Sequence, residues 1–316
     1  MAAVHSVRRT VRAMNGDVDF FCYAQRPGRR LDRAAAWLRG FERRFSRFDP
    51  GSELSRLNAA AGRTTRVSPQ LLRLISESLA LARRSGGLFD PTVLLKLEAA
   101  GYDRSFEHVS GDEARLKACA GPGACSWRDV RLDPGARTVT LAPETAIDLG
   151  GMAKGWAVDR MAAIIGSPGL VNAGGDLMAA GRPHDAEAWM VGVEDPFHPE
   201  RDLAVLAVRD RGVATSTTLR RRWFNGERWA HHLIDPRTGA PSASDAVQVT
   251  VVAESVLLAD YHAKVALLHG ADGGLCYLES ADAIEGLIVA SDRVLTTSGL
   301  RDFLVQLESE GQSSGR

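Results

Sequence analysis

Twelve consecutive residues, Asp148-Leu-Gly-Gly-Met-Ala-Lys-Gly-Trp-Ala-Val-Asp159, bring three glycines, one lysine and two acids to the point where a strand pattern gives way to a helical one. The residues before them, Thr138-Val-Thr-Leu141 and Ala146-Ile147, read as strand. After them Trp156, Val158, Met161, Ile164 and Ile165 recur at helical spacing. A glycine-rich strand-to-helix junction restricts the fold to a mixture of strands and helices. It also lets the backbone at Gly150, Gly151 and Gly155 approach a ligand closely, while the free N–H groups and dipole of the helix start favour an anion. Lys154 adds a mobile positive charge. Two readings stand: a phosphate or pyrophosphate cradle, and a glycine-rich turn beside a solvated lysine.

Charge and cysteine usage narrow the partners. The chain of 316 residues is 45% hydrophobic and 25% charged, a globular composition with room for a large core. Its 39 basic and 39 acidic residues cancel, so no overall field recruits nucleic acid or an anionic membrane. Basic character is local, in Arg8-Arg9, Arg29-Arg30, Arg43-Arg44, Arg83-Arg84 and Arg220-Arg-Arg222, each read as a solvated face. No apolar window approaches the roughly 20 residues of a membrane span, and the start carries no signal-peptide run. Cys22, Cys119, Cys125 and Cys276 have neither metal-ligand spacing nor secreted-protein density, which points to a reducing, cytoplasmic setting. Cys119 and Cys125 flank Gly121-Pro-Gly123, a surface turn that a disulfide is not needed to explain.

Periodicity predicts a strand over Val18–Tyr23 and amphipathic helices over Leu31–Phe45, Gln70–Arg84 and Leu257–His269. β-Branched runs predict strands over Leu203–Val208, Gly212–Thr215, Val247–Ala253 and Gly286–Ala290. Arg221–Phe224 and Glu227–Ala230 read as a hairpin closed by Asn225-Gly226, with Trp223 and Trp229 straddling the turn in core or cross-strand packing rather than ligand contact. One compact unit over residues 5–305 is expected, followed by a disordered tail over 306–316.

Further segments share the ligand-facing character of the junction: Phe45-Ser-Arg-Phe48 with the turn Asp49-Pro-Gly, Gly86-Gly-Leu-Phe-Asp-Pro-Thr-Val93, Val171-Asn-Ala-Gly-Gly-Asp176, His231-His-Leu-Ile-Asp-Pro-Arg-Thr-Gly239, and Leu258-Ala-Asp-Tyr-His-Ala-Lys264. In this order and spacing they resemble the FAD:protein FMN transferases, the ApbE family, over nearly the whole chain. The resemblance implies an α+β (mixed α/β), T-fold-like architecture, with sheets and helices packed around a flavin pocket. It implies transfer of FMN from FAD to a threonine or serine hydroxyl of an acceptor protein, with release of AMP and assistance from Mg2+. By the same resemblance Met14, Phe48, Leu88, Phe89, Asp90 and Ile234 line the flavin site, Asp148 and Lys154 hold polar parts of FAD, and His232 is the base. An imidazole suits that role, since its ordinary pKa is near 6.5. Without the resemblance, His232 reads as a structural histidine bonded to a loop carbonyl. His231 is expected on the opposite face of the strand. Asp176 and Asp235 read equally as ligands or as turn-closing acids.

Two departures from the family pattern fall near the phosphates. Where the family carries Thr-Ser-Gly-Asp-Tyr, this chain has Thr215-Ser-Thr-Thr-Leu219, without the glycine and the carboxylate. The family's metal site combines a backbone carbonyl, here that of Gly151, with an aspartate, here Asp260, and a threonine or serine four residues on, where Lys264 stands. An ammonium cannot ligate Mg2+. Lys264 therefore replaces the metal's charge, swings away from a metal that keeps Asp260, or forms a surface ion pair with Asp260 worth about 0.3 to 0.5 kcal/mol. Besides transfer, the sequence leaves open an FAD pyrophosphatase, with water as nucleophile, and a catalytically weakened FAD-binding module.

Overall fold

A computed structural model describes residues 5–24, 27–106, 126–224 and 229–308. Its centre is an eight-stranded sheet, antiparallel throughout, in the spatial order His5–Ala13, Gly16–Ala24, Gly169–Ala173, Asp176–Ala180, Arg211–Thr217, Ala246–Ala253, Glu285–Ala290 and Val294–Thr296. Seven α-helices lie among the described residues: α1 (Pro27–Phe45), α2 (Glu53–Ala59), α3 (Pro69–Arg84), α4 (Leu94–Ala99), α5 (Ala153–Ile165), α6 (Val256–His269) and α7 (Ala271–Glu279).

The two faces of the sheet are covered differently. One meets the main core, where Leu38 and Phe41 of α1, Val158 and Met161 of α5 and Val265 of α6 pack on Phe20, Val171 and Val251. The other meets a three-stranded sheet of Trp189–Glu194, Asp202–Val208 and Leu304–Leu307 through Val191, Leu206, Val213 and Val252. Covering on both faces explains why Ala246–Ala253 is a nearly unbroken apolar run: Val249 and Val251 point to the helices and Val252 to the second sheet. A smaller sheet pairs Thr64–Arg66, Thr138–Leu141 and Val130–Asp133.

The expected helices and strands are present, with bounds one to four residues wider. Other expectations are corrected. Ala146-Ile147 belongs to no strand. The hairpin pairs Arg222–Phe224 with Trp229–His231, with Phe224 opposite Trp229 rather than opposite Glu227 as an Asn225-Gly226 turn would require; residues 225–228 lie outside the described residues. The tryptophans do not stack on each other. Trp223 is buried against Tyr102 and donates from Nε1 to the Ala100 carbonyl, whereas Trp229 is exposed with the Arg222 guanidinium over its ring. The last strand runs through Leu307, past the expected start of the tail, and residues 309–316 lie outside the described set, as do Cys119 and Cys125.

Gly155 changes meaning. A Cβ there would stand 2.8 Å from the Val256 carbonyl oxygen, so this glycine serves the crossing of α5 over the start of α6 rather than a ligand. Asp159, one turn on, accepts from the Val256 and Leu257 N–H groups at 2.8 and 3.0 Å and so caps α6 across the same contact. Replacing Gly155 by Ala should overpack this crossing and destabilise the protein by about 1 to 3 kcal/mol in urea denaturation; an unchanged midpoint would show that α5 can move away freely.

Candidate functional site

The α5–α6 crossing opens on one side into a cavity of about 640 Å³. Its walls come from the end of the large sheet, from α1, α5 and α6, and from the loops after α3 and the 222–231 hairpin. All twelve residues that the family resemblance assigns to the site line it: Met14, Phe48, Leu88, Phe89, Asp90, Asp148, Gly151, Lys154, His232, Ile234, Asp260 and Lys264; Gly155, Asp176 and Asp235 do not.

One end is aromatic and apolar. Met14 sits in the turn of the first hairpin with a left-handed backbone, φ 55°, anchored by its N–H to Glu42 Oε1 at 2.6 Å. Phe89 meets Tyr261 edge to face with ring centroids 5.7 Å apart. Asp90 holds its own loop: Oδ1 accepts from the Thr92 N–H and hydroxyl at 2.8 and 2.6 Å, and Oδ2 from the Trp127 N–H at 3.2 Å. Burial raises its pKa despite these donors. Asp148 accepts from the Gly150 N–H at 2.8 Å, and its own N–H donates to the Pro91 carbonyl at 2.8 Å, which locks the glycine segment to that loop.

The other end concentrates charge. Lys154 Nζ lies 2.7 Å from Asp176 Oδ2, an ion pair out of line for a hydrogen bond, and Asp176 is buried. Lys264 Nζ donates to the Gly151 carbonyl at 2.7 Å and to Asp260 Oδ1 at 3.0 Å. Its side chain is 16% exposed and that of Asp260 9%, which removes the surface-ion-pair reading and shows the ammonium turned into the site. Asp260 Oδ2 is buried without a hydrogen-bond partner among the described residues. α6 is buried on nearly every side, so an Asp and a Lys placed four residues apart on it share one face and one enclosed space.

The histidines separate as their alternation requires. His231 Nε2 bonds the Ser242 carbonyl at 3.0 Å, while His232 is half-buried in the cavity wall with Nδ1 unpartnered among the described residues. Burial first, then the neighbouring Arg221, Lys264, His231 and Lys154 charges, hold the His232 pKa well below the ordinary imidazole value, so the ring is neutral and able to accept a proton at neutral pH. Asp235 is a turn residue: it accepts from the Arg237 N–H and guanidinium at 2.9 and 2.8 Å. Asp176 closes the Gly174-Gly175 turn by pairing with Ala173, and its side chain faces Lys154.

Sequence reasoning passed over three cavity residues. Arg47 stacks its guanidinium 4.1 Å from the Phe48 ring centroid and 4.6 Å from that of Tyr102, and donates to the Tyr102 carbonyl at 2.9 Å. An arginine between Phe45 and Phe48 was the available signal. Tyr102 gave none, since its neighbours reach it only through the fold. Arg221, placed with a solvated run, instead lines the cavity with no ion pair or hydrogen bond among the described residues, while Arg220 bonds Glu194.

A sequence profile described as the ApbE family matches residues 9–288. A FAD:protein FMN transferase of Treponema pallidum is 30% identical over 281 residues, covering 82% of this chain and 76% of that one. Another, from Rhodobacter capsulatus, is 34% identical over 233 residues, 71% of this chain and 43% of the relative. Among solved structures, the ApbE protein of Thermotoga maritima superposes with a TM-score of 0.85 at 24% identity, covering 95% of this chain and 99% of its own. The flavin transferase ApbE of Vibrio cholerae superposes with a TM-score of 0.79, also at 24% identity, over 96% of this chain and all (100%) of its own. At that identity the structures establish the fold alone.

The Lys154–Asp176 pair yields a test of the cavity's electrostatics. The folded-state pKa of Asp176 is raised above its ordinary value, chiefly by burial, with Lys154 opposing the rise. Its ionisation therefore costs stability as pH climbs above about 4, and removing Lys154 enlarges that cost. Lys154→Met should destabilise the protein by about 3 to 5 kcal/mol at pH 7 and by less at pH 5, read by urea denaturation; equal penalties at the two pH values would contradict the pairing.

Proposed function

We propose that this chain, which belongs to the ApbE family, is a flavin transferase that moves FMN from FAD to a threonine or serine hydroxyl of an acceptor protein and releases AMP. The observation that carries the reading is the gathering of twelve residues, scattered from Met14 to Lys264, around one cavity with an aromatic end and a cationic end. That polarity suits a dinucleotide whose ring system is apolar and whose pyrophosphate is anionic.

The chemistry follows from the residues. The acceptor hydroxyl oxygen attacks the flavin-side phosphorus; a new P–O bond forms, the bond from that phosphorus to the bridging oxygen breaks, and AMP departs with the bridging oxygen. His232, neutral at physiological pH, accepts the hydroxyl proton. Lys154 and Lys264 offset charge that builds on the phosphoryl oxygens and the leaving phosphate. Met14, Phe48, Leu88, Phe89 and Ile234 hold the isoalloxazine side, with Asp90 and Asp148 fixing the loops that carry it.

Mg2+ is the assistant that the family resemblance implies, with Gly151 and Asp260 as its protein ligands. The residues present do not fit it as they stand. Gly151 O and Asp260 Oδ1 are both engaged by the Lys264 ammonium, at 2.7 and 3.0 Å, and Mg2+ needs oxygens at about 2.0 to 2.1 Å in an octahedron. Among the described residues no helix is long and apolar enough to cross a membrane. We assign a cytoplasmic setting on cysteine usage, Cys22 and the exposed Cys276 both being free thiols.

Incubation with FAD and a candidate acceptor separates the possibilities. Fluorescent flavin on the acceptor together with AMP supports transfer; AMP with free FMN would make the protein a pyrophosphatase; bound, intact FAD would make it a binding module. His232→Ala should lower the transfer rate by roughly 10²- to 10⁴-fold with FAD still bound, and loss of FAD binding instead would move His232 from base to pocket wall. Because the base must be neutral and its pKa is depressed, the acid limb of the wild-type pH–rate profile should lie below pH 6.5, the ordinary imidazole value. A limb above that value would contradict the role.

A further inference from the structure

We propose that the Lys264 ammonium is a built-in cation standing where the family's metal would stand, so that this protein works on FAD without a divalent ion. The inference rests on the flavin-transferase reading but concerns a different property, the source of positive charge at the pyrophosphate.

Three observations converge. The ammonium already bridges the two oxygens that would ligate a metal, at 2.7 Å from Gly151 O and 3.0 Å from Asp260 Oδ1. The bridge is enclosed, with 16% of the lysine side chain and 9% of the aspartate side chain exposed, so the charge is not lost to solvent. The surroundings have shifted in the same direction. Thr217 and Thr218 stand where the family pattern carries Gly and Asp, and the Thr218 hydroxyl donates to the Val247 carbonyl at 3.4 Å instead of offering a carboxylate. Arg221 adds a cation to the cavity wall with no ion pair or hydrogen bond among the described residues. A site that carries Lys264 where the family pattern has threonine or serine, is lined by Arg221 and lacks the acid of that pattern can neutralise a pyrophosphate from its own side chains.

Lys264 also does what a metal ligand would do for the backbone. It ties the glycine segment before α5 to the second turn of α6, which fixes the spacing of Gly151 and Asp260. A Cβ on Gly151 would lie 3.2 Å from the Phe89 ring, a tight contact that the glycine avoids, and at an ordinary 3.5 Å from Nζ. Lys264 is thus both a charge on the phosphates and a clamp on the loop that faces them.

The test is a titration of the full-length, EDTA-treated, FAD-loaded protein with Mn2+, read by the EPR signal of the free ion against FAD alone. The wild type should bind Mn2+ no better than FAD alone does. Lys264→Thr, which restores an oxygen at that position, should bind one ion per chain at least roughly tenfold more tightly, a difference of about 1.4 kcal/mol. Lys264→Met, which keeps the length without the charge, should weaken FAD at least roughly tenfold by flavin fluorescence while leaving riboflavin binding unchanged, and melting curves confirm that both variants fold. Wild-type chain that takes up one Mn2+ per protein in the micromolar range, with Lys264→Thr no tighter, would overturn the proposal. So would FAD binding that Lys264→Met leaves intact. Neither readout needs an acceptor, so failure of the transferase reading appears separately, as absence of flavin on any acceptor, whatever the Mn2+ result.

Discussion

The crossing of α5 over the start of α6 is the contact on which the site depends. It is a backbone-to-backbone approach that only Gly155 allows, and it is pinned by the Asp159 carboxylate on the first N–H groups of α6. Because the two helices meet there, the glycine segment 150–151 faces the second turn of α6, and Lys264 can reach the Gly151 carbonyl. The burial raises the pKa of Asp159 to about 6, the cost of enclosing a carboxylate whose partners are neutral N–H groups. The large sheet positions the remaining residues by carrying Met14 at one hairpin turn and Thr215–Thr217 at the end of a central strand.

Charge in the cavity is arranged in pairs that lie far apart in the chain. Lys154 meets Asp176 and Lys264 meets Asp260, each inside a space that water enters little. An opposite charge lowers the cost of burying a carboxylate or an ammonium. Both lysines therefore stand ready beside an anion without leaving an uncompensated charge when none is bound. His232 is the converse case: half-buried, and beside cations, it stays neutral and keeps its lone pair for a proton.

Much of the fold was legible in the sequence because periodicity reports burial directly. Leu31–Phe45 and Gln70–Arg84 carry a single apolar stripe, and Val247–Ala253 carries the unbroken run of a strand covered on both faces. The site residues were legible through their motifs, and the structure brings them to one cavity, although their chemical roles are proposals. What escaped depends on contacts between distant segments. Asn225-Gly226 suggested a turn that sets Phe224 opposite Glu227, but Phe224 pairs with Trp229, and Trp223 packs beside Tyr102, a contact with a distant segment. Gly155 looked like a ligand glycine because its true neighbour, Val256, lies about a hundred residues on. Arg221 looked like surface charge, and Arg47 had no role of its own within its ligand-facing segment, because lining the cavity and stacking on Tyr102 are visible only in three dimensions. The fate of Lys264 was undecidable between three conformations until Gly151 was placed beside it.

The central claim is that one cavity holds FAD with its pyrophosphate at the lysine end and its ring at the Met14 and Phe89 end. A crystal structure of the protein with FAD tests it most directly. The account predicts phosphate oxygens within roughly 3.5 Å of the Lys154 and Lys264 ammonium groups and the isoalloxazine among Met14, Phe48 and Phe89. FAD bound in the reverse sense, or outside this cavity, would contradict it.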